Sequence, residues 1–171
     1  MENIYKGNAL VAPGNHVNAD TAMGWYIGMD ALPPQEIAAK FMQTVEPAIA
    51  GLAKADDILV CGRNFGYGKV HSSFLIAVKT IGIRCIVAES FSTQMFNNLK
   101  SEGIAFVECP GILDKVNMSD LLEVNFAEGS VKNLTKGEEY QGLAPSAFIL
   151  EVMQSGGMMP YLAKKGADAQ K

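Results

Sequence analysis

The sequence predicts a single α/β domain built around a mostly parallel sheet. Three short apolar runs, Ile58–Cys61, 84–88 and Ala105–Glu108, are typical of strands that are buried on both faces. Helical stretches over 70–80 and 91–101 separate these runs. A strand–helix–strand–helix–strand order favours parallel pairing with right-handed crossovers. We therefore expect the three runs to be neighbouring parallel strands joined by two crossover helices.

Segments on either side of this unit complete the predicted domain. The other predicted elements are a strand over 7–12, a helix that opens at Pro33, a β-hairpin over 122–126 and 130–134, and a helix over 145–154. Ser90 is expected to cap the helix 91–101, since serine is a favoured N-cap residue. We assign residues 1–163 to the domain and 164–171 to a frayed polar tail, because that end is small and polar.

Composition excludes several classes of protein. Hydrophobic residues make up 49% of the chain and charged residues 19%, so a chain disordered throughout is excluded. The net charge of −4 and the scattered lysines and arginines give no basic face for nucleic acid or for an anionic membrane. The N-terminus lacks the apolar stretch of a signal peptide, and no apolar run is long enough to span a bilayer. We expect a cytoplasmic protein with neither nucleic-acid nor membrane partners.

Cysteine and histidine content argues against a metal held by this chain. The three cysteines, Cys61, Cys85 and Cys109, lie in or beside strand-like runs, which favours buried free thiols. No Cys-x-x-Cys occurs, and the only histidines are His16 and His71. We therefore predict that this chain alone binds neither a metal ion nor an iron–sulfur cluster.

A glycine-rich loop over 62–68 is the strongest candidate for a ligand site. It leaves the carboxyl end of a predicted strand and enters a helix, which is where ligands bind in open α/β sheets. Gly66 and Gly68 would permit positive φ and close approach of the backbone to a ligand. The other candidate residues of this segment, with donors suited to a carboxylate or phosphate, are Arg63, Asn64, Lys69, His71, Ser72 and Ser73.

Nucleotide-binding patterns do not fit this loop. A Walker loop requires Ser or Thr directly after its lysine, and here Val70 follows Lys69. The dinucleotide fingerprint requires a third glycine three residues after Gly68, and His71 stands there. From the pattern alone, an anion site and a tight turn without a ligand both remain open.

The loop and the segments that follow it resemble a known family. Residues 62–68, 82–84 and 88–91 together resemble the small subunit of 3-isopropylmalate dehydratase, which is also the swivelling C-terminal domain of aconitase-type enzymes. Supporting matches occur at 18–20, where the family has an Asn/Asp-Thr-Asp motif, at 103–104 and 108–109, and in the Gly-Gly signature over 156–162. The resemblance therefore extends over nearly the whole chain.

This resemblance implies a fold and a reaction. The fold would be a single swivelling β/β/α domain. The reaction would be the dehydration and rehydration of a hydroxy diacid in leucine biosynthesis, with a [4Fe–4S] cluster on a separate large subunit acting as Lewis acid. The small subunit would hold the substrate carboxylate and move its proton within a heterodimer or heterotetramer. Without its partner it is expected to be inert.

The chain departs from the family directly after the glycine loop. The family reads Ser-Ser-Arg-Glu-His, where its first serine removes the proton and its arginine clamps a carboxylate. Lys69 here stands in the base position and His71 in the clamp position. Ser92-Thr93 replaces an Ala-Arg pair, so a second arginine is absent. An imidazole or a hydroxyl cannot hold a carboxylate bidentately as guanidinium does.

Three explanations of these departures remain open, with Lys69, His71 and Ser72 as the catalytic candidates. Lys69 could be the base, if burial near the helix N-terminus and His71 made it a neutral amine. Alternatively, Lys69 clamps a carboxylate and Ser72 or Ser73 accepts the proton. In the third explanation catalysis is lost, and the chain is a carboxylate-binding or scaffolding homologue.

Substrate choice in the family is set by the loop after the first strand, which here contains Tyr26, Ile27 and Met29. Together with Trp25, these residues would form an apolar pocket without a cation, where a third carboxylate would lack a partner. The resemblance then implies a malate with an aliphatic branch, such as isopropylmalate, methylmalate or dimethylmalate. The alternative is that these side chains belong to the core or to the interface with the large subunit.

Overall fold

The computed structural model describes residues 3–168. The strands are β1 (Ile4–Val11), β2 (Ile58–Cys61), β3 (Cys85–Ala88), β4 (Ala105–Glu108), β5 (Leu121–Asn125), β6 (Ser130–Asn133) and β7 (Glu138–Gln141). The α-helices are α1 (Ala19–Met23), α2 (Pro34–Ala38), α3 (Pro47–Leu52), α4 (Ser72–Ile81), α5 (Thr93–Glu102), α6 (Ala147–Gln154) and α7 (Met158–Asp168). Short 3₁₀ turns cover Met29–Ala31 and Ile112–Asp114.

All seven strands belong to one sheet in the order β4-β3-β2-β1-β5-β6-β7. The half from β4 to β1 is parallel, and the half from β1 to β7 is antiparallel. Strand β1 joins the halves, since its end pairs with β2 at Ala9↔Ile58 and its start with β5 at Tyr5↔Val124. The sheet curls until the backbone N–H of Leu143, just after β7, donates to the Glu108 carbonyl of β4 at 2.7 Å.

The core lies between the curled sheet and its helices, with α4 and α5 as the crossovers of the parallel half. Strands β2 and β3 are buried along their whole length, as expected for strands covered on both faces. Aromatic rings run through the core in edge or tilted contact, each pair contributing about 0.5–1.5 kcal/mol beyond the area it buries. In order of contact these residues are Phe41, Phe74, Phe65, Phe91, Phe106 and Phe126.

The predicted parallel unit is confirmed. Strands β2 and β4 have the predicted bounds, and β3 and both crossover helices lie within two residues of theirs. The predicted cap of α5 is wrong, because Ser92 rather than Ser90 accepts the Met95 N–H, at 3.1 Å. The Ser90 hydroxyl instead accepts the backbone N–H of Asn64 at 2.9 Å and so fixes the glycine loop.

Several elements were not predicted, namely α1, α3, β7 and α7. Helix α7 continues through Asp168, past the predicted boundary at 163, so residues 164–168 are helical where we expected a frayed tail. Residues 169–171 of that tail lie outside the described residues. Within residues 3–168, no helix combines the length and the apolar character needed to cross a membrane.

Candidate functional site

The glycine loop connects β2 to α4 at the carboxyl edge of the parallel strands. Asn64, Gly66 and Gly68 all have left-handed backbone conformations, with φ of 53°, 72° and 75°. Phe65 ties the loop to the segment after β3, because its N–H donates to the Ser90 carbonyl and its own carbonyl accepts the Ser92 N–H, both at 3.0 Å. The mouth, defined as the loop 62–68 with the start of α4, is therefore a fixed surface.

Packing explains Gly66 and Gly68 of the loop. A Cβ on Gly66 would lie 2.5 Å from Met95 Cε, and a Cβ on Gly68 would lie 2.9 Å from Asn18 Nδ2. The N–H of Gly66 already donates to the Val17 carbonyl at 2.8 Å, so it is not available to a ligand. For Gly66 the tight-turn alternative describes the structure.

Two carboxylates of the chain itself occupy the N-terminus of α4. The Asp20 Oδ1 atom accepts the backbone N–H of His71, and the Asp30 Oδ1 atom accepts that of Ser73, each at 2.8 Å. We expected such amides to bind a substrate anion, and for these two amides that expectation is wrong. The physical reason is that negative side chains satisfy the unpaired N–H groups and the positive end of the helix dipole.

The side chain of His71 is held on two sides. Its Nδ1 atom lies 2.6 Å from Asp20 Oδ2, and its ring stacks on Trp25 with centroids 3.8 Å apart and an interplanar angle of 8°. The His71 and Asp20 side chains are only 20% and 14% exposed. The Nε2 atom of His71 has no hydrogen-bond partner among the described residues and is not a buried atom, so it faces solvent.

The remaining catalytic candidates differ in exposure. Lys69 and Ser72 are exposed, whereas Ser73 is fully buried and its hydroxyl has no partner among the described residues. The burial that we expected for Lys69 is therefore absent in this chain. The side chain instead lies at the surface, between the glycine loop and the start of α4.

Arg63 and Asn64 lie on the outer side of the loop. Arg63 Nε is 3.3 Å from Glu89 Oε2, with side-chain exposures of 70% and 11%, so a less exposed carboxylate balances the guanidinium charge. Asn64 Nδ2 lies 3.1 Å from His16 Nδ1. Ser92 and Thr93, where the family resemblance placed a second arginine, form the cap and first residue of α5.

The predicted substrate pocket is only partly formed. Met29 is fully buried in the core and cannot touch a ligand, so its assignment to the pocket is wrong and the core alternative holds for it. Tyr26 and Ile27 are exposed, at 47% and 90%. The Lys40 ammonium lies 6.0 Å from the centre of the Tyr26 ring, so a cation lies beside one of the residues predicted to line an apolar pocket.

The three cysteines do not form a metal-binding group. Cys61, Cys85 and Cys109 are buried free thiols, as predicted. Burial raises the pKa of each thiol, and the Glu89 carboxylate adds to this effect at Cys109. A cluster needs thiolates, and no three His, Cys, Asp or Glu side chains within the described part of the chain are grouped to hold a metal ion. These residues do not fit an iron–sulfur cluster.

Sequence reasoning missed the acidic and aromatic neighbours of His71. Asp20 was part of a quoted motif but had no assigned role, and Asp30 had none. Asp20 and His71 are separated by 51 positions, and the local pattern gives no signal that joins them. The Asn18 side chain accepts the Thr21 N–H and so fixes the start of the helix that carries Asp20, but this local cap does not point to His71.

Curated relatives match this chain over nearly its whole length. No family model matches the sequence. The isopropylmalate/citramalate isomerase small subunit of Methanocaldococcus jannaschii is 38% identical over 171 residues, covering 99% of this chain and 100% of that protein. The 3-isopropylmalate dehydratase small subunit 1 of Methanopyrus kandleri is 31% identical over 170 residues, covering 99% and 98%.

A solved structure shares the fold. The crystal structure of a 3-isopropylmalate dehydratase from Methanocaldococcus jannaschii superposes with a TM-score of 0.86 over 98% of each chain, at 24% identity. The resemblance inferred from residues 62–68 and the segments after them is thereby confirmed. This chain belongs to the family of 3-isopropylmalate dehydratase small subunits.

Proposed function

We propose that this chain is the small subunit of a two-subunit hydro-lyase that dehydrates and rehydrates an alkylmalate of the 3-isopropylmalate type. Its work would be to bind a substrate carboxylate and to move a proton at the mouth. The partner would be a large subunit, in a heterodimer or heterotetramer located in the cytoplasm. Family membership supports the reaction class, since the relatives are named isomerase or dehydratase small subunits.

The observation that carries this proposal is the grouping of polar side chains at the mouth. Lys69 is exposed beside the start of α4, and the free Nε2 atom of His71 faces solvent two residues later. A cation and an ionisable imidazole on one fixed surface suit an acid substrate that must also exchange a proton. The carboxyl edge of a parallel sheet is the usual position for such a site.

The iron–sulfur cluster belongs to the large subunit in this proposal. The buried thiols of this chain do not suit cluster ligation, so the small subunit would contribute only its own side chains. When bound by the partner, the cluster would supply Lewis-acid chemistry toward the departing hydroxyl. The small subunit would add the anion contact through Lys69.

The proposed substrate is a malate whose branch contacts Tyr26 and Ile27. Both side chains are exposed on the loop between α1 and α2, where they remain available to substrate or to the partner. Because Lys40 lies over the Tyr26 ring, a third carboxylate would also find a cation here. The substrate panel should therefore contain tricarboxylates as well as alkylmalates.

The test is a purified complex of this chain with the large subunit from the same genome. Hydration of alkylmaleates would be followed by loss of the ultraviolet absorbance of the unsaturated diacid. We expect Lys69→Ala to raise KM at least about tenfold, since it removes a charge-assisted contact worth about 1.5–3 kcal/mol. The matched control is Lys6→Ala, which should leave the kinetics unchanged. Lys6 is an exposed lysine in the first half of β1, away from the carboxyl ends of the parallel strands where the mouth lies.

The second candidate is a non-catalytic homologue that binds carboxylates or organises an assembly. The observation that favours it is the pairing of His71 with Asp20. His71 stands where the family resemblance places a carboxylate-binding arginine, and a protonated His71 ring beside the Asp20 carboxylate would carry no net positive charge. An intact complex whose turnover is indifferent to both Lys69→Ala and His71→Ala would establish this alternative. A complex that turns over no member of the panel would overturn the hydro-lyase proposal.

A further inference from the structure

Asp20 and Trp25 both contact His71 directly, and the three residues form one unit at the start of α4. Asp20 contacts His71 with both carboxylate oxygens, Oδ1 on the backbone N–H at 2.8 Å and Oδ2 on the ring Nδ1 at 2.6 Å. Trp25 covers one face of the imidazole ring. The ring is therefore restrained in position and in rotation about its own axis.

These contacts fix the position of the ring hydrogen. An ionised carboxylate can only accept hydrogen bonds, so Nδ1 must be the nitrogen that donates to Asp20 Oδ2. In the neutral ring the other nitrogen, Nε2, is then an acceptor with a free lone pair. That atom is the one that faces solvent at the mouth.

We propose that His71 is the proton-transfer group of the mouth and that Asp20 is its positioning residue. This inference rests on the proposed hydro-lyase function. It differs from the role of carboxylate clamp that the matched position implied, because Asp20 already cancels the charge that a clamp would need. Lys69, exposed and without a carboxylate partner among the described residues, keeps the anion-binding role.

The proton-transfer step balances with groups already named. The Nε2 lone pair of neutral His71 accepts the proton from the substrate carbon. The electron pair of that C–H bond forms the second bond of the alkene, and hydroxide leaves from the adjacent carbon. The imidazolium is compensated by Asp20, and in the reverse direction it returns the proton as hydroxide adds.

An isosteric variant tests the positioning role without any activity assay. In Asp20→Asn the amide oxygen keeps the bond from the His71 backbone N–H, which places the NH₂ group against Nδ1. Nδ1 must then accept, and the ring hydrogen moves to Nε2. Long-range ¹H–¹⁵N spectra of the isolated chain, at a pH where the ring is neutral, distinguish the two tautomers. The chain has only two histidines, so His16→Gln assigns the signals.

The expected spectra are an Nδ1–H tautomer in the natural chain and an Nε2–H tautomer in Asp20→Asn. Asp56→Asn is the matched control, since Asp56 is exposed just before β2, at the amino edge of the parallel strands. This control should retain the Nδ1–H tautomer. An Nε2–H tautomer in the natural chain, or an Nδ1–H tautomer in Asp20→Asn, would overturn the positioning role of Asp20.

Activity of the assembled complex tests the proton-transfer role. We expect His71→Gln and Asp20→Asn each to lower kcat and the exchange of the substrate C–H with solvent deuterium on the order of 10²-fold, with little change in KM. The double variant should be no worse than the single ones, because the two residues act as a unit. The role of His71 would be overturned if His71→Gln exchanged the substrate C–H at the wild-type rate. It would also be overturned if Lys69→Met lost this exchange while His71→Gln kept it.

The outcomes separate this inference from the function on which it depends. An inactive natural complex overturns the proposed function and the proton-transfer role with it, while the nitrogen spectra still decide whether Asp20 sets the tautomer. If the natural complex and the His71→Gln variant are both active, the proposed hydro-lyase function stands and only the proton-transfer role of His71 is refuted. Size-exclusion chromatography with the large subunit confirms that each variant still assembles.

Discussion

Substitution of Gly66 by alanine should destabilise the domain strongly, although the residue lies in a surface loop. The added Cβ would lie 2.5 Å, 2.7 Å and 2.9 Å from three side-chain carbons of Met95, and Met95 is fully buried. Overpacking of this kind costs about 1–3 kcal/mol. The left-handed backbone, with φ of 72°, adds about 1–2 kcal/mol for any residue with a Cβ. We therefore expect a total loss of about 2–5 kcal/mol.

Gly137→Ala is the matched control for this prediction. Gly137 has φ of 70°, yet a Cβ there would meet no atom within 4 Å. The control therefore carries the backbone cost alone, about 1–2 kcal/mol. The difference between the two variants isolates the collision with Met95.

Urea unfolding of the isolated chain measures both losses, and a double-mutant cycle with Met95→Ala identifies their source. If the collision is real, Gly66→Ala should cost less once Met95 is shortened to alanine, because Cγ and Cε are gone, but still more than Gly137→Ala, because the Cβ at position 95 remains 2.7 Å from the added Cβ. Equal losses for the two glycine variants in the natural background would refute the packing explanation.

Three further predictions concern the rest of the domain. Ser92→Ala should lower the free energy of unfolding by about 0.5–2 kcal/mol, seen in urea unfolding, because Ser92 caps α5 and also donates to the Gly66 carbonyl at 2.6 Å. Asp120→Asn should destabilise the chain most at neutral pH. Burial raises the pKa of Asp120, but hydrogen bonds from Asn117 and Asn133 and the charge of Lys136 outweigh burial, so the pKa of Asp120 is lowered overall. The stabilisation by ionised Asp120 is present above the unfolded pKa of about 3.9 and is lost as pH falls through the lower folded pKa. The difference in urea midpoint between the natural chain and Asp120→Asn should therefore narrow below about pH 4. A difference that stays constant with pH would contradict this. The three thiols should react with an aromatic disulfide reagent only after unfolding, since burial raises their pKa values; rapid reaction in the folded chain would contradict the burial.

Elements with a strong apolar pattern could be predicted from the sequence. Strands β2 and β4 are mostly apolar runs with Gly, Pro or Asp within two residues of each end, and their bounds matched. Strand β7 has the sequence Glu-Glu-Tyr-Gln, which is polar, and it is held only at the edge of the sheet by β6. Helix α7 follows two glycines and contains Pro160, so local signals argued against it. Tertiary contacts decide both of these elements.

The site was predictable in position but not in its internal contacts. The glycine loop and its flanking segments located the mouth correctly. Asp20 and Asp30, which occupy the amides of α4, approach from segments 51 and 43 positions earlier in the chain. Such contacts depend on how α1 and the 3₁₀ turn pack on α4, and no local period encodes that. The burial of Met29 was likewise a matter of packing.

The contact that closes the curled sheet has a consequence for newly made chains. Gly142 lies so near the end of β4 that a Cβ would fall 2.4 Å from the Glu108 carbonyl oxygen. The seam made there covers the end of an edge strand that would otherwise offer unpaired backbone groups to another molecule. A bulkier residue at position 142 would open the seam, and strand-to-strand self-association would become a competing fate for newly made protein.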